Sequence, residues 1–286
     1  MCLISNNLYA GDNNSVLASI RPLQSILANI TDEEVDLILD RNESLHNYQL
    51  KPTKIRNIHN SKLIIIIDRN FEVFLNKILD QLDSKHKIIE VAKLPGVKLL
   101  KNNEHEEDHE GHSHHALNYH LWLDISIVKN IAKELADILA IENPENKDKY
   151  RKNLALFLTR LTELDKEIEG KLVYAKHKDY LVTHDAYSYF SKRYNLNDAT
   201  PITIDHDHNI GARTLLDIQK MIKDKKVTCI FEEPQFSSQI VSKLQKGAEV
   251  NIGKLDAEWG PEAESVKDSY FSMMNALADS YSKCLK

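Results

Sequence analysis

Thirteen histidines lie along the 286 residues, and five of them fall between His105 and His115. There His105, His109, His112, His114 and His115 are interleaved with Glu106, Glu107, Asp108 and Glu110. Neutral imidazole is the commonest metal ligand among side chains, and a short His-rich tract is a compositional signal for metal binding. The tract has little apolar surface to bury against the entropy of ordering it, so a mobile loop is expected. His120 keeps different company: Leu121, Trp122 and Leu123 can pack and hold its ring still. Two kinds of metal site are therefore expected, one loose and one built. The alternative for the tract is a solvated acidic loop.

The built site needs elements to position it, and the pattern is α/β. Residues 16–21 read as a strand and 23–30 as a helix. Residues 35–39 form a second strand, and Thr53 caps a helix running toward Asn60. Residues 63–67 (LIIII) are short and β-branched, as expected of a parallel strand covered on both faces. Residues 71–82 carry Phe71, Phe74, Leu75, Ile78, Leu79 and Leu82 at helical spacing, and 87–92 are a fourth strand. Strand and helix in alternation give an α/β lobe with a parallel sheet.

After residue 124 the rhythm changes. Residues 126–142 form one amphipathic helix. Asn143, Pro144 and Glu145 then read as an N-cap, a proline at the first helical position and a first-turn acid. From there Tyr150, Leu154, Phe157, Leu161, Leu164, Ile168 and Leu172 step by three and four. That is about thirty residues of helix, roughly 45 Å long, the size of a rigid connector. The alternative is two helices with a break near Gly170. A second α/β set follows, with strands at 180–183, 201–204, 227–231 and 250–255 and helices at 215–222, 237–247 and 266–284. The expected divisions are 15–125 (with the His-rich loop at 101–117), a helical region at 126–178, and 179–286.

Composition narrows the function. A net charge of −6 argues against a nucleic-acid binder, and there is no run of eighteen apolar residues to span a membrane. Residues 1–12 (MCLISNNLYAGD) resemble the tail of a truncated secretory signal, although a basic n-region is missing, and the alternative is an ordinary frayed terminus. The cysteines are Cys2, Cys229 and Cys284. Cys229 reads either as a buried free thiol or as half of a disulfide with Cys284, the latter implying an oxidising compartment.

His46 lies beyond the second strand, His120 beyond the loop, and His184 at the end of a strand in the second set. Ligands of open α/β sheets collect at the carboxyl ends of strands, so all three can face one cleft. A lone histidine is more often structural, and that is the alternative for each.

Four segments, 43–52 around His46, 118–123 around His120, 183–190 around His184 and 231–236 (FEEPQF), resemble the periplasmic solute-binding component of bacterial zinc ABC importers. They stand in that family's order and spacing, with a charged His-rich loop before the second histidine. The resemblance covers residues 15–286. It implies two α/β lobes with parallel sheets joined by one long rigid helix, and a metal site in the cleft between them. It implies His46, His120 and His184 as ligands of Zn(II), with Asp256 ranked first as the fourth and water or a loop histidine next. It also implies a Cys229–Cys284 disulfide, a membrane permease as partner, a periplasmic location and a monomer. Manganese-binding relatives carry a carboxylate at the third position, so His184 favours zinc. Five histidines so close favour metal capture by the tract over a solvated loop. Asp205, His206, Asp207 and His208 read as a polar turn or as an accessory site at the cleft rim.

Because imidazole must be neutral to bind, affinity should fall as pH drops through about 6.5. A competing reading is a zinc hydrolase or lyase, since three histidines and an open position are a catalytic ligand set. Against it, no H-E-x-x-H motif is present. A manganese-binding or adhesin-type relative of the same fold is the third reading.

Overall fold

The computed structural model describes residues 15–41, 43–45, 48–102, 117–202, 212–224, 227–236, 238–245 and 249–286. The first lobe alternates strand and helix: β1 (Val16–Ala18), α1 (Arg21–Thr31), β2 (Asp36–Leu37), α2 (Pro52–Asn60), β3 (Leu63–Ile66), α3 (Asn76–Leu79) and β4 (Lys87–Glu90). Its sheet is parallel in the order β2-β1-β3-β4. All four residues of β3 are buried, as an apolar strand covered on both faces must be. A two-residue antiparallel pair follows, β5 (Leu100–Lys101) with β6 (Leu117–Asn118), bracketing the His-rich stretch. This pair is too short to leave a periodic signal in the sequence.

Two helices follow, α4 (Ile125–Glu142) packed along the first lobe, with Glu142 at its end paired to Lys87 of β4, and α5 (Lys147–Lys171) linking the lobes. α4 is capped by Asp124, whose carboxylate accepts the Ser126 N–H at 2.7 Å. Residues 144–146 form a single 3-10 turn, and α5 continues for 25 residues, roughly 38 Å. It runs through Gly170 without a break. Tyr150, Phe157, Leu161, Leu164 and Ile168 are buried along one face, as their spacing predicts.

The second lobe comprises β7 (Asp179–Val182), α6 (Ser188–Tyr194), β8 (Thr200–Pro201), α7 (Ala212–Lys223), β9 (Val227–Glu232), α8 (Ser238–Gln245), β10 (Asn251–Lys254) and α9 (Val266–Cys284). Its sheet is parallel in the order β10-β9-β7-β8. Asp165 of α5 is buried and accepts from Arg193 and from the Tyr194 hydroxyl at 3.1 Å, which ties the long helix to α6. α9 ties both lobes together. At its start the Lys267 carbonyl accepts from Ser25 and Asn29 of α1, and its last residue is in the Cys229–Cys284 disulfide with a Cα–Cα separation of 5.7 Å. Gly253 lies under that staple, where an added Cβ would stand 2.5 Å from the Phe231 ring.

Three local expectations are corrected. Residues 71–82 are not one helix but a 3-10 turn at Val73–Leu75 followed by the four-residue α3. Here the Glu72 carboxylate folds back to accept the Asp68 N–H at 3.0 Å, and Asp68 accepts the Asn70 N–H at 2.8 Å. Those side-chain bonds compete with helical ones. Thr53 is not a cap: α2 begins at Pro52, with Lys51 before it. The 16–21 strand stops at Ala18, because Arg21 and Pro22 already open α1.

Candidate metal centre

His120 follows β6 directly, and Asn118 fixes it. The Asn118 side-chain oxygen accepts the His120 backbone N–H at 3.0 Å and lies 3.1 Å from His120 Nδ1. The Asn118 amide in turn donates to the Asp185 carbonyl at 2.7 Å, and the Tyr189 hydroxyl donates to the Asn118 carbonyl at 2.7 Å. His184 follows β7. Its Nδ1 lies 2.9 Å from Glu233 Oε1, which also accepts from the hydroxyl of Thr183. Both histidines are more than nine-tenths buried. An imidazole whose Nδ1–H donates to such an acceptor carries its lone pair on Nε2, the arrangement that metal-binding histidines use.

The two imidazoles meet edge to face, ring centroids 5.2 Å apart, although one belongs to the first lobe and the other to the second. Aromatic rings line the meeting place. Phe71 and Trp122 each lie 5.2 Å from the His120 ring, and Phe236 stacks on His184 at 5.1 Å. Phe71 stands just ahead of the 3-10 turn at Val73–Leu75.

Asp256 follows β10. Its Oδ1 accepts the backbone N–H groups of Glu258 and Trp259, each at 3.0 Å, and the Gln235 amide at 3.3 Å. Gln235 belongs to the same 231–236 segment that supplies Glu233 and Phe236 to His184. Glu258 is buried, and its Oε1 accepts the Leu45 N–H at 3.3 Å. Burial, with the Asp256 and Glu233 charges adding, pushes the Glu258 carboxyl up to about 8.

Of the expected ligands, the structure brings His120 and His184 together. Among the described residues no three His, Cys, Asp or Glu side chains converge as closely as an ion requires. His46, the histidines at 105, 109, 112, 114 and 115, and His206 and His208 lie outside the described residues. Asn118, Glu233 and Glu258 were not expected from the sequence. Asn118 and Glu233 lie within the segments 118–123 and 231–236 that carry the resemblance, without a role read for them there, and Glu258 is marked only by its place two residues after Asp256.

Residues 16–284 match the family described as ZnuA, zinc-uptake complex component A, periplasmic. The chain is 34% identical over 292 residues to the high-affinity zinc uptake system protein ZnuA of Haemophilus ducreyi, covering 96% of this chain and 94% of that one. It is 33% identical to the protein of the same name from Yersinia pestis, covering 95% and 91%. A crystal structure of ZnuA superimposes with a TM-score of 0.82 at 26% identity, covering 96% of this chain and 99% of that one. No helix among the described residues is long and apolar enough to cross a membrane.

Proposed function

Because this chain belongs to the ZnuA family of periplasmic zinc-uptake components, we propose that it binds one zinc ion in the cleft between its lobes through His46, His120, His184 and Asp256. Zinc is the cargo, handed to the membrane permease of an ABC importer by a protein acting as a monomer in the periplasm. On this reading the protein is a carrier and has no catalytic step.

The observation that carries the proposal is the meeting of His120 and His184 across the lobes, each with a buried acceptor at Nδ1. An imidazole whose Nδ1–H is donated to such an acceptor keeps its Nε2 for a metal, which suits a borderline cation such as zinc. A histidine at 184 favours zinc over manganese, which prefers oxygen ligands. Asp256 supplies a negative charge, offsetting part of the cost of placing a dication beside buried rings. The His-rich stretch leaves the first lobe at β5 and returns at β6, two residues before His120. A tether of that kind keeps captured metal at high effective concentration beside the cleft.

Metal analysis and a chelator-competition titration of the chain and its His184→Ala variant test the proposal. We expect one tightly held zinc in the parent chain and loss of most of that affinity in the variant. Equal affinity would overturn the assignment.

A further inference from the structure

A cleft of about 320 Å³ takes its walls from both lobes, and its volume is at the small end of the range for ligand pockets. Lys98 and Leu100 enter it from the first lobe, at and just before β5, and Asp124 enters from the start of α4. Tyr189, Lys192 and Arg193 come from α6 of the second lobe.

The charges around this cleft do not cancel. Asp124 accepts the Ser126 N–H at 2.7 Å and the Ser126 hydroxyl at 2.6 Å, and lies 3.9 Å from Arg193. Arg193 also pairs with Asp165, which Lys129 approaches to 3.7 Å. Those two carboxylates and two cations offset one another. Lys98 and Lys192 are left over. Both are exposed, one comes from each lobe, and among the described residues neither ammonium pairs with a carboxylate. Like charges in one concavity with low-dielectric walls focus the field and concentrate counter-ions. A lysine ammonium is a compact charge with three donors, so it accepts an oxyanion without demanding a forked geometry.

We propose that this cleft binds a small dianion, an inorganic oxyanion or a dicarboxylate, between the ammonium groups of Lys98 and Lys192. The occupant links the two lobes. Tyr189, in the same wall, already does so: its hydroxyl accepts the Leu100 N–H at 2.9 Å and donates to the Asn118 carbonyl at 2.7 Å. The dianion adds an ionic link beside that hydrogen-bonded one. None of the residues that line the cleft is an expected zinc ligand, so the site stands apart from the zinc reading.

Calorimetric titration of sodium sulfate, and separately of sodium succinate, into the metal-free full chain tests the site, with ionic strength held constant by chloride. We expect one dianion bound per chain and a higher melting temperature in its presence. Lys98→Gln and Lys192→Gln should each weaken binding by about tenfold, the low end for a hydrogen bond to a charged group. The double variant should give no measurable heat. Lys77→Gln combined with Lys85→Gln makes the same change in net charge at exposed positions outside the cleft, and should bind like the parent chain. Binding of sulfate alone assigns the site to inorganic oxyanions, and binding of succinate alone assigns it to dicarboxylates. Either result, or both, upholds the proposal. Binding of neither overturns it, as does parent-like binding in the Lys98→Gln, Lys192→Gln double variant. An equal weakening in the Lys77→Gln, Lys85→Gln chain also overturns it, because net charge alone would then account for the attraction. Should either cleft variant fail to fold, the other decides by the same comparison.

Discussion

The side-chain amide of Asn118 donates to the backbone carbonyl of Asp185 at 2.7 Å, joining the residue that holds His120 to the residue that follows His184. One buried amide thus serves both lobes, its oxygen on the first histidine and its nitrogen on the strand exit that carries the second. Asn118→Ala should weaken zinc binding by 10–100-fold, the range for removing the partner of a ligand histidine. Asn118→Asp keeps an acceptor for His120 but loses the donor to Asp185, so it should fall between alanine and the parent. A competition titration of the three chains checks the order. Parent-like affinity in the alanine variant would show that the amide does no orienting.

Glu72 sets a pH dependence in the first lobe. It is fully buried under the turn that carries Phe71, its Oε1 has no hydrogen-bond partner among the described residues, and burial pushes its carboxyl up to about 8. A raised value means that the folded chain holds a proton the unfolded chain has released. The stability this contributes is fully present below about 4.5 and is lost as pH rises through about 8, at about 1.4 kcal/mol per pH unit between the two. Glu72→Gln removes that slope, so the apo variant should gain on the parent by a few kcal/mol between pH 5 and pH 8. Glu258 contributes a slope of the same sign in both chains, which is why the difference is the quantity to follow. Urea midpoints of the two apo proteins at both pH values measure it. A constant difference would refute a buried, protonated Glu72.

The disulfide closes a long loop, since Cys229 and Cys284 are 55 residues apart in sequence. In the chain-entropy account such a link stabilises by roughly 4 kcal/mol. It also fastens the end of α9, whose other end is bonded to α1 of the first lobe. The Cys229→Ala, Cys284→Ala double variant should lose about 2–5 kcal/mol in urea unfolding without reductant. The parent chain should lose a similar amount when reductant is added, and the double variant should be indifferent to it. A parent midpoint that reductant leaves unmoved would mean the link contributes nothing to folding.

What the sequence made legible follows from periodicity and local chemistry. The unbroken run at 63–67 reads as a buried parallel strand because it is short and β-branched, and the stripe from Tyr150 to Ile168 reads as one face of a long helix because it steps by three and four. His184 was found by its place at a strand end, where open sheets bind ligands. The helix expected at 71–82 was misread because Glu72 bonds to Asp68, a choice that hydrophobic spacing does not encode. The acceptors behind the histidines escaped for a different reason. Asn118 with Asp185 and Glu258 with Leu45 are pairs between the two lobes, and Glu233 with His184 joins the ends of neighbouring strands in the second, contacts distant in sequence that only the fold brings together.

The His-rich stretch can be separated from the built centre by deletion. Its flanks are held by the β5–β6 pair, in which Leu100 pairs with Asn118 and Lys101 with Leu117, and Tyr189 bonds to both strands of it. Those bonds belong to residues outside 104–115, so removing that stretch and closing Asn103 to Ala116 with a short glycine–serine linker should leave Asn118 and His120 in place. The shortened chain should keep one zinc at parent-like affinity and lose the weaker ions that five histidines would add. In metal analysis the number of bound ions should therefore fall toward one, while the tightest constant in a competition titration stays within a few-fold of the parent. Under metal limitation it should also load more slowly, because captured ions no longer stand at high effective concentration beside the cleft. An unchanged number of ions would remove the capture role. A collapse of the tight constant would place a ligand of the centre within the deleted residues.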